Sequence, residues 1–193
     1  DGNDLIITGI TGTFVDNEAL TGSIAGAATA NGVAVLAAPG LTGIASSSLS
    51  YVWAYKQRVY FVEVGTLNAW YLAVDQVGGT ATVLPLGGVF NLGGSLQWGH
   101  VWSLNSGGDG GLSEQNVFVT TEGEVAAYQG LSPDDAASWS KVGVYRIGKP
   151  MGKKAFIRAG GDLVIATTVG FVSLSSAVER DVAALGAAAV SYP

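Results

Sequence analysis

The sequence Arg58-Val-Tyr-Phe-Val-Glu-Val-Gly65 is followed by Ala69-Trp-Tyr-Leu-Ala-Val74, and this pair of segments decides the fold. Both segments are rich in β-branched and aromatic residues, and a glycine-containing turn separates them, which is typical of a β-hairpin. The same pattern returns twice, as Asn116–Gly123 with Val125–Tyr128 and as Asp162–Thr167 with Phe171–Leu174. The recurrence predicts an all-β fold built from repeats.

Another strand-like segment precedes each hairpin, at Leu49–Tyr55, Trp98–Leu104 and Ala155–Arg158, so each repeat holds three or four strands. From Val59 to Val117 to Leu163 the spacings are 58 and 46 residues, near the roughly 40–50 residues of a propeller blade. We therefore expect a partial β-propeller of about three blade-like antiparallel sheets; the alternative is a β-sandwich with similar hairpins. Propellers typically close with about four to eight blades, so either the chain is cut or several copies complete one another.

The sequence predicts three regions. Residues 1–48 read as a small Gly/Ala-rich β appendage or insertion, residues 49–178 hold the blade-like repeats, and residues 179–193 form a short helical tail. The helix is predicted over Ala177–Val190. A helical turn is predicted at Ser132–Asp135, where Ser132 can cap, with Trp139 closing it onto the sheet.

Composition limits the function. The chain has 193 residues, 48% of them hydrophobic and only 12% charged, which argues against disorder and indicates that a partner covers much of its surface. A net charge of −6 argues against a general nucleic-acid coat. Without cysteine there are no disulfides, thiolate nucleophiles or Cys-ligated metals. The apolar stretch Ala25–Leu41 is interrupted by polar and turn residues and is shorter than the roughly 18 residues of a membrane span.

Few residues suit catalysis. His100 is the only histidine, and its position between Trp98 and Trp102 in a strand favours a structural role over that of a general base. Glu122 and Glu124 flank a hairpin glycine, where solvated turn residues are a better interpretation than paired glycosidase carboxylates. We expect no enzymatic activity and no cofactor.

A metal site is not predicted either. Asp109 and Glu114 lie in or beside the glycine-dense loop Ser106–Gly111, but calcium needs six to eight oxygen ligands and this loop offers few.

Hydrophobic and aromatic side chains of the strands are the predicted core. Rings fill the space between packed sheets, so most of the five tryptophans, at 53, 70, 98, 102 and 139, are expected to pack there. The predicted core residues are Trp98, Trp102, Val117, Phe118, Val119, Leu163, Val164 and Ile165.

Positive charge is concentrated between Lys141 and Arg158, a segment without acidic residues. Such a segment is usually a solvated face, but in a chain so poor in charge it indicates a contact with an acidic partner or with nucleic acid. The candidate partner-binding residues are Arg146, Lys149, Lys153, Lys154 and Arg158.

Several turn and packing positions carry a family resemblance. They are Phe118–Val125, Tyr128–Gly130, Pro133, Ala136, Trp139, Val142–Tyr145, Ile147, Pro150, Gly152 and Gly161–Leu163. Together they resemble a segment of the β-propeller virion proteins of tailed phages, of the tail-hub or packaged-DNA-stabilising type at the head–tail junction. The segments Gly12–Phe14, Glu18–Gly22 and Gly26–Ala30 are similar to a short β module inserted in many phage structural proteins.

The resemblance implies a non-enzymatic virion component of the neck or tail that acts through protein interfaces. Its partners would be portal, connector or tail proteins and further copies of itself, with at most sequence-independent contact to DNA and none to a membrane. It supplies no active-site residues. The alternative is a carbohydrate-binding or glycan-degrading β domain that uses exposed tryptophans and Glu122 or Glu124, and a third is a secreted scaffold or surface-layer piece.

Overall fold

The structure is a computed structural model, and it describes residues 19–21, 27–29, 40–104 and 113–179. The chain divides into two compact units, Asp1–Pro39 and Gly40–Pro193. The described part of the first unit is one antiparallel pair, β1 (Ala19–Thr21) with β2 (Ala27–Thr29). Apart from these two strands, residues 1–39 of the predicted β appendage lie outside the described residues.

The described part of the second unit is almost entirely β-structure. Its elements are β3 (Leu41–Thr42), a 3-10 turn (Ser46–Ser48), β4 (Leu49–Tyr55), β5 (Arg58–Glu63), β6 (Asn68–Tyr71), β7 (Gly79–Thr80), β8 (Thr82–Pro85), β9 (Leu96–Leu104), β10 (Ser113–Thr120), β11 (Glu124–Gln129), β12 (Ser140–Arg146), β13 (Phe156–Ala159), β14 (Asp162–Thr167), β15 (Gly170–Ser173) and the helix α1 (Leu174–Glu179). The predicted all-β character is confirmed.

Three antiparallel sheets follow one another along the chain. The first sheet has the order β4-β5-β6-β8, the second β9-β10-β11-β12 and the third β13-β14-β15. Each contains one of the three predicted hairpins, which are confirmed as β5–β6, β10–β11 and β14–β15. Within the second unit, the short parallel pair of β3 with β7 places residues 41–42 beside residues 79–80.

The second sheet lies between the other two because its strands are apolar on both faces. Along β10, Val117 and Val119 belong to the core shared with the third sheet, while Phe118 between them belongs to the core shared with the first. Successive side chains of a strand point to opposite faces, so one continuous apolar run serves both cores. All three side chains are fully buried.

A glycine allows the first and second sheets to approach closely. Gly99 in β9 faces the ring of Trp53 in β4, and a Cβ at residue 99 would lie 2.3 Å from that ring. Trp53 also donates a hydrogen bond of 2.8 Å from its indole nitrogen to Asn116 of β10. The two contacts fix where the first sheet lies on the second.

The three hairpin turns lie at the same end of this stack. Thr66, in the β5–β6 turn, accepts a hydrogen bond from the backbone of Leu96 at the start of β9. Gly123, in the β10–β11 turn, accepts one from Ile147, and Lys149 accepts one from Thr168 in the β14–β15 turn. The backbone therefore links corresponding ends of neighbouring sheets.

Most core predictions hold, with one correction. Seven of the eight predicted core residues are buried, but Val164 is only half-buried. It pairs with Ile157 on the face of the third sheet turned away from the second, because its neighbours Leu163 and Ile165 take the inward face. The apolar run in β14 does not show which of its residues face a neighbouring sheet.

Two local predictions change in detail. The described helix begins at Leu174, earlier than predicted, and residues 180–193 lie outside the described residues. Instead of a helical turn, two consecutive turns follow Ser132, closed by backbone hydrogen bonds from Asp135 to Ser132 and from Trp139 to Asp135. Trp139 does close onto the sheet, since its ring stacks on Tyr128 at 5.2 Å.

Candidate assembly surfaces

The first sheet carries an apolar surface on the side away from the second sheet. We call it the first-sheet outer face; it is formed by Val52, Ala54, Val59, Phe61, Trp70 and Val83, which the strand registers place side by side. Val52 is 58% exposed and Val83 is 41% exposed, whereas Phe61 and Trp70 are half-buried. In a sheet with one solvated face, the residues on that face are normally polar, but these six residues are apolar.

Glu63 adds a fixed negative charge to the first-sheet outer face. Its carboxylate accepts hydrogen bonds from the side chains of Trp70 at 3.1 Å, Asn68 at 2.9 Å and Thr66 at 3.2 Å. These bonds, that of Asn68 first, lower the pKa of Glu63 below its ordinary value. The carboxylate is therefore ionised at neutral pH and held at the hairpin-turn end of the sheet.

The third sheet carries a second apolar surface on the side away from the second sheet. The third-sheet outer face includes Ile157, which is 66% exposed, and the half-buried Val164 and Ala166. A groove on this face is lined by Lys154, Ala155, Phe156, Ile157, Val164, Ala166 and Phe171. Its volume of about 210 Å³ is below the roughly 300–1,000 Å³ of small-molecule sites, which makes it better suited to protein side chains.

The predicted basic residues do not all lie on one surface. Lys154 lines the groove on the third-sheet outer face. Lys149 forms an ion pair of 2.5 Å with Glu122. Arg158 alternates with Ile157 along β13, so it lies on the other side of the sheet, close enough to His100 to affect its pKa.

The remaining two basic candidates are exposed. Arg146 ends β12, and Lys153 lies in the turn before β13, beside Lys154. Of the five candidates, Lys154 is the one that the structure places in the groove on the third-sheet outer face.

Glu124 contradicts the expectation of a solvated turn carboxylate. It is 1% exposed, and its carboxylate accepts hydrogen bonds from the backbone nitrogens of Asn91 at 2.9 Å and Leu92 at 2.7 Å. The side chain thereby holds the loop before β9 against the second sheet. Glu122 is half-buried and forms the ion pair with Lys149, so the two carboxylates have different partners and do not face a common substrate space.

His100 occupies a structural position in β9, as expected. Its ring meets that of Phe156 edge to face at 5.1 Å, and Nδ1 lies 3.0 Å from the carbonyl oxygen of Val101. Burial lowers its pKa, and the positive charge of Arg158 lowers it further. The imidazole is therefore neutral at pH 7.

The tryptophans divide between core and surface. Trp53, Trp98 and Trp102 are buried, which confirms their core role, whereas Trp70 and Trp139 are half-buried. Sequence reasoning missed the importance of Phe61, Trp70 and Ile157 for the outer faces. The available signal was that β5, which contains Phe61 and pairs with Trp70, and β14, which pairs with Ile157, are apolar on both sides of their alternation.

Within the residues that the structure describes, no group of His, Asp and Glu side chains is arranged to hold a metal ion. Over the same residues, no helix is long and apolar enough to cross a membrane. Searches of protein-family models, of curated proteins and of solved structures find no significant match to this chain.

Proposed function

We propose that this protein is a non-enzymatic structural component of a tailed-phage virion, located at the neck or tail hub, and that its three sheets form part of a β-propeller. The observation that carries the proposal is the pair of apolar outer faces at the two ends of the sheet stack. Such faces on a chain with 12% charged residues are suited to burial against other proteins. The sequence resemblance to virion propeller proteins supplies the particular setting.

The stack itself supports the propeller part of the proposal. A blade cannot bury both of its faces alone, and neighbouring blades stack to do so. The second sheet has a neighbour on each face, and its hairpin turn lies at the same end as those of its neighbours. Among the described residues, the first and third sheets each pack against another sheet on one face only, the face turned toward the second sheet.

Partners in this setting are portal, connector or tail proteins. The exposed lysines at residues 153 and 154 supply a polar contact, to an acidic protein surface or, without sequence specificity, to the phosphates of DNA in a channel. Contacts of this kind act chiefly on the association rate and weaken with salt.

The test is co-sedimentation of the purified chain with assembled portal, connector and tail complexes encoded by the same genome. We expect the wild-type chain to bind one of them, and the Lys153→Glu/Lys154→Glu variant to bind more weakly at low salt while its thermal unfolding is unchanged. Val77→Lys is the matched control, since Val77 is 78% exposed in a loop outside the outer faces. A wild-type chain that binds none of these complexes contradicts the proposal.

The alternative of a glycan-binding domain has one observation in its favour. Trp70 and Phe61 are paired neighbours on the first-sheet outer face, with the carboxylate of Glu63 beside them. Aromatic rings next to a carboxylate can hold a sugar ring. We expect neither binding nor cleavage on a glycan panel; binding by the wild-type chain that is lost in Trp70→Ala would contradict the structural proposal.

A further inference from the structure

The third-sheet outer face and the first-sheet outer face belong to opposite ends of one stack. The second sheet shows what a covered sheet looks like here: one face packs on the sheet before it in the chain and the other on the sheet after it. The first sheet lacks a described sheet on its preceding side, and the third lacks one on its following side. The first-sheet outer face could therefore receive a preceding sheet, and the third-sheet outer face could receive a following one.

Hairpin registers show that the first-sheet outer face is equivalent to a face that is buried elsewhere. In β5–β6, the pair Phe61–Trp70 comes just before the last pair ahead of the turn. In β10–β11, the pair Phe118–Ala126 holds the same position, and it is fully buried against the preceding sheet. Phe61 therefore corresponds in position to the buried Phe118. It remains partly exposed because the described residues form no sheet on the preceding side of the first sheet.

The two outer faces carry opposite charges at the same end of the stack, the end where the hairpin turns lie. Glu63 lies at the hairpin-turn end of the first sheet, fixed by Asn68 and Trp70. Lys154 lies at the hairpin-turn end of the third sheet, since the carbonyl of the next residue, Ala155, accepts a hydrogen bond from Ala166 near the β14–β15 turn. If a third sheet stacks on a first sheet as the described sheets stack, these opposite charges come to the same end of the interface.

We propose that the two outer faces bind each other in a second copy of this chain, so that two copies close a ring of six sheets. This inference rests on the proposed partial propeller. The contact is head-to-tail, because different surfaces meet, and head-to-tail contacts form either rings or open filaments. With the three stacked sheets that the structure describes in each chain, two copies give six blades, within the usual range of about four to eight, whereas one copy and three copies fall outside it.

The test is sedimentation velocity of the full chain over a concentration series, with one charged substitution on each face. Val52→Lys alters the first-sheet outer face and Ile157→Lys the third-sheet outer face; both positions are more than half exposed, so each variant should fold. We expect a wild-type dimer, and each variant alone to dimerise more than about tenfold more weakly, since it places an ammonium group in both interfaces of the ring. Val77→Lys is the control and should dimerise as the wild type does.

Mixing the two variants identifies the head-to-tail geometry. The intact third-sheet face of Val52→Lys can still bind the intact first-sheet face of Ile157→Lys, so the mixture should regain dimers that neither variant forms alone. A dimer that is abolished by one substitution and untouched by the other would be a symmetric face-to-face contact and would overturn the inference. A wild-type chain that stays monomeric at its highest soluble concentration would also overturn it.

A charge exchange provides a second, milder test. Glu63→Lys and Lys154→Glu should each weaken the dimer at low salt, and the double variant should restore it. The proposed function is tested separately by co-sedimentation with virion complexes. A monomeric chain that binds these complexes would support the proposed function and contradict the ring. A dimeric chain that binds none of them would support the ring and contradict the proposed function.

Discussion

The second sheet and the first sheet are built from similar hairpins, yet they differ in what their apolar residues meet. Phe118 in the second sheet is fully buried, while Phe61 at the equivalent position of the first sheet is half-buried on an outer face. Both strands are apolar on both sides. The difference shows that an apolar residue in a strand becomes a core residue only where a neighbouring sheet covers it.

The largest expected effect tests this difference directly. Phe118→Ala should lower the free energy of unfolding by about 3–5 kcal/mol, because it removes a buried ring and leaves a cavity between two sheets. Phe61→Ala should cost only about 1 kcal/mol in dilute solution, where its face is open to water. Urea denaturation of both variants at low protein concentration measures the two losses in stability. Equal losses would show that Phe61 is covered as completely as Phe118, contrary to its place on an outer face.

A second variant tests how closely the first and second sheets must approach. Gly99→Ala should destabilise the protein by about 1–3 kcal/mol, because its Cβ would lie 2.3 Å from the ring of Trp53 and the sheets must separate. Gly87→Ala is the matched control, since no atom lies within 4 Å of the Cβ position there. Tryptophan fluorescence during chemical unfolding measures the stability of both variants. A Gly99→Ala variant as stable as the control would mean that the first and second sheets can move apart at little energetic cost.

The smallest expected effect concerns the interface between the second and third sheets, where His100 meets Phe156. The pKa of His100 in the folded state is below its ordinary value of 6.5, mainly because of burial. The unfolded chain therefore binds the proton more readily, so stability is complete above about pH 6.5 and decreases as the pH falls below it.

This pH dependence can be isolated because the chain has a single histidine. Thermal unfolding at about pH 7 and about pH 5.5 should show a decrease for the wild type that is smaller in His100→Gln, since glutamine does not titrate. An identical decrease in both proteins would assign the effect to carboxylates instead.

The sequence predicted the strands well because their signals are local. Alternation, β-branched residues and glycine turns predicted hairpins over 58–74, 116–128 and 162–174, and the structure has them over 58–71, 113–129 and 162–173. The predicted role of His100 also follows from its strand context. In contrast, the burial of Glu124 depends on the backbone of Asn91 and Leu92, about thirty residues away, which no local pattern reveals.

The sequence by itself determined that this chain forms antiparallel β-hairpins and carries few charged residues. Only the tertiary structure decided which apolar faces are covered: it buried Phe118 and left Phe61, Val164 and Ile157 on outer faces. It also separated Lys154 from Arg158, which the sequence had grouped: Lys154 precedes β13 and lines the groove on the third-sheet outer face, whereas Arg158 lies within β13 on the side near His100. Hairpins form through nearby residues, whereas the covering of a sheet face depends on distant segments, and that is the physical reason for the division.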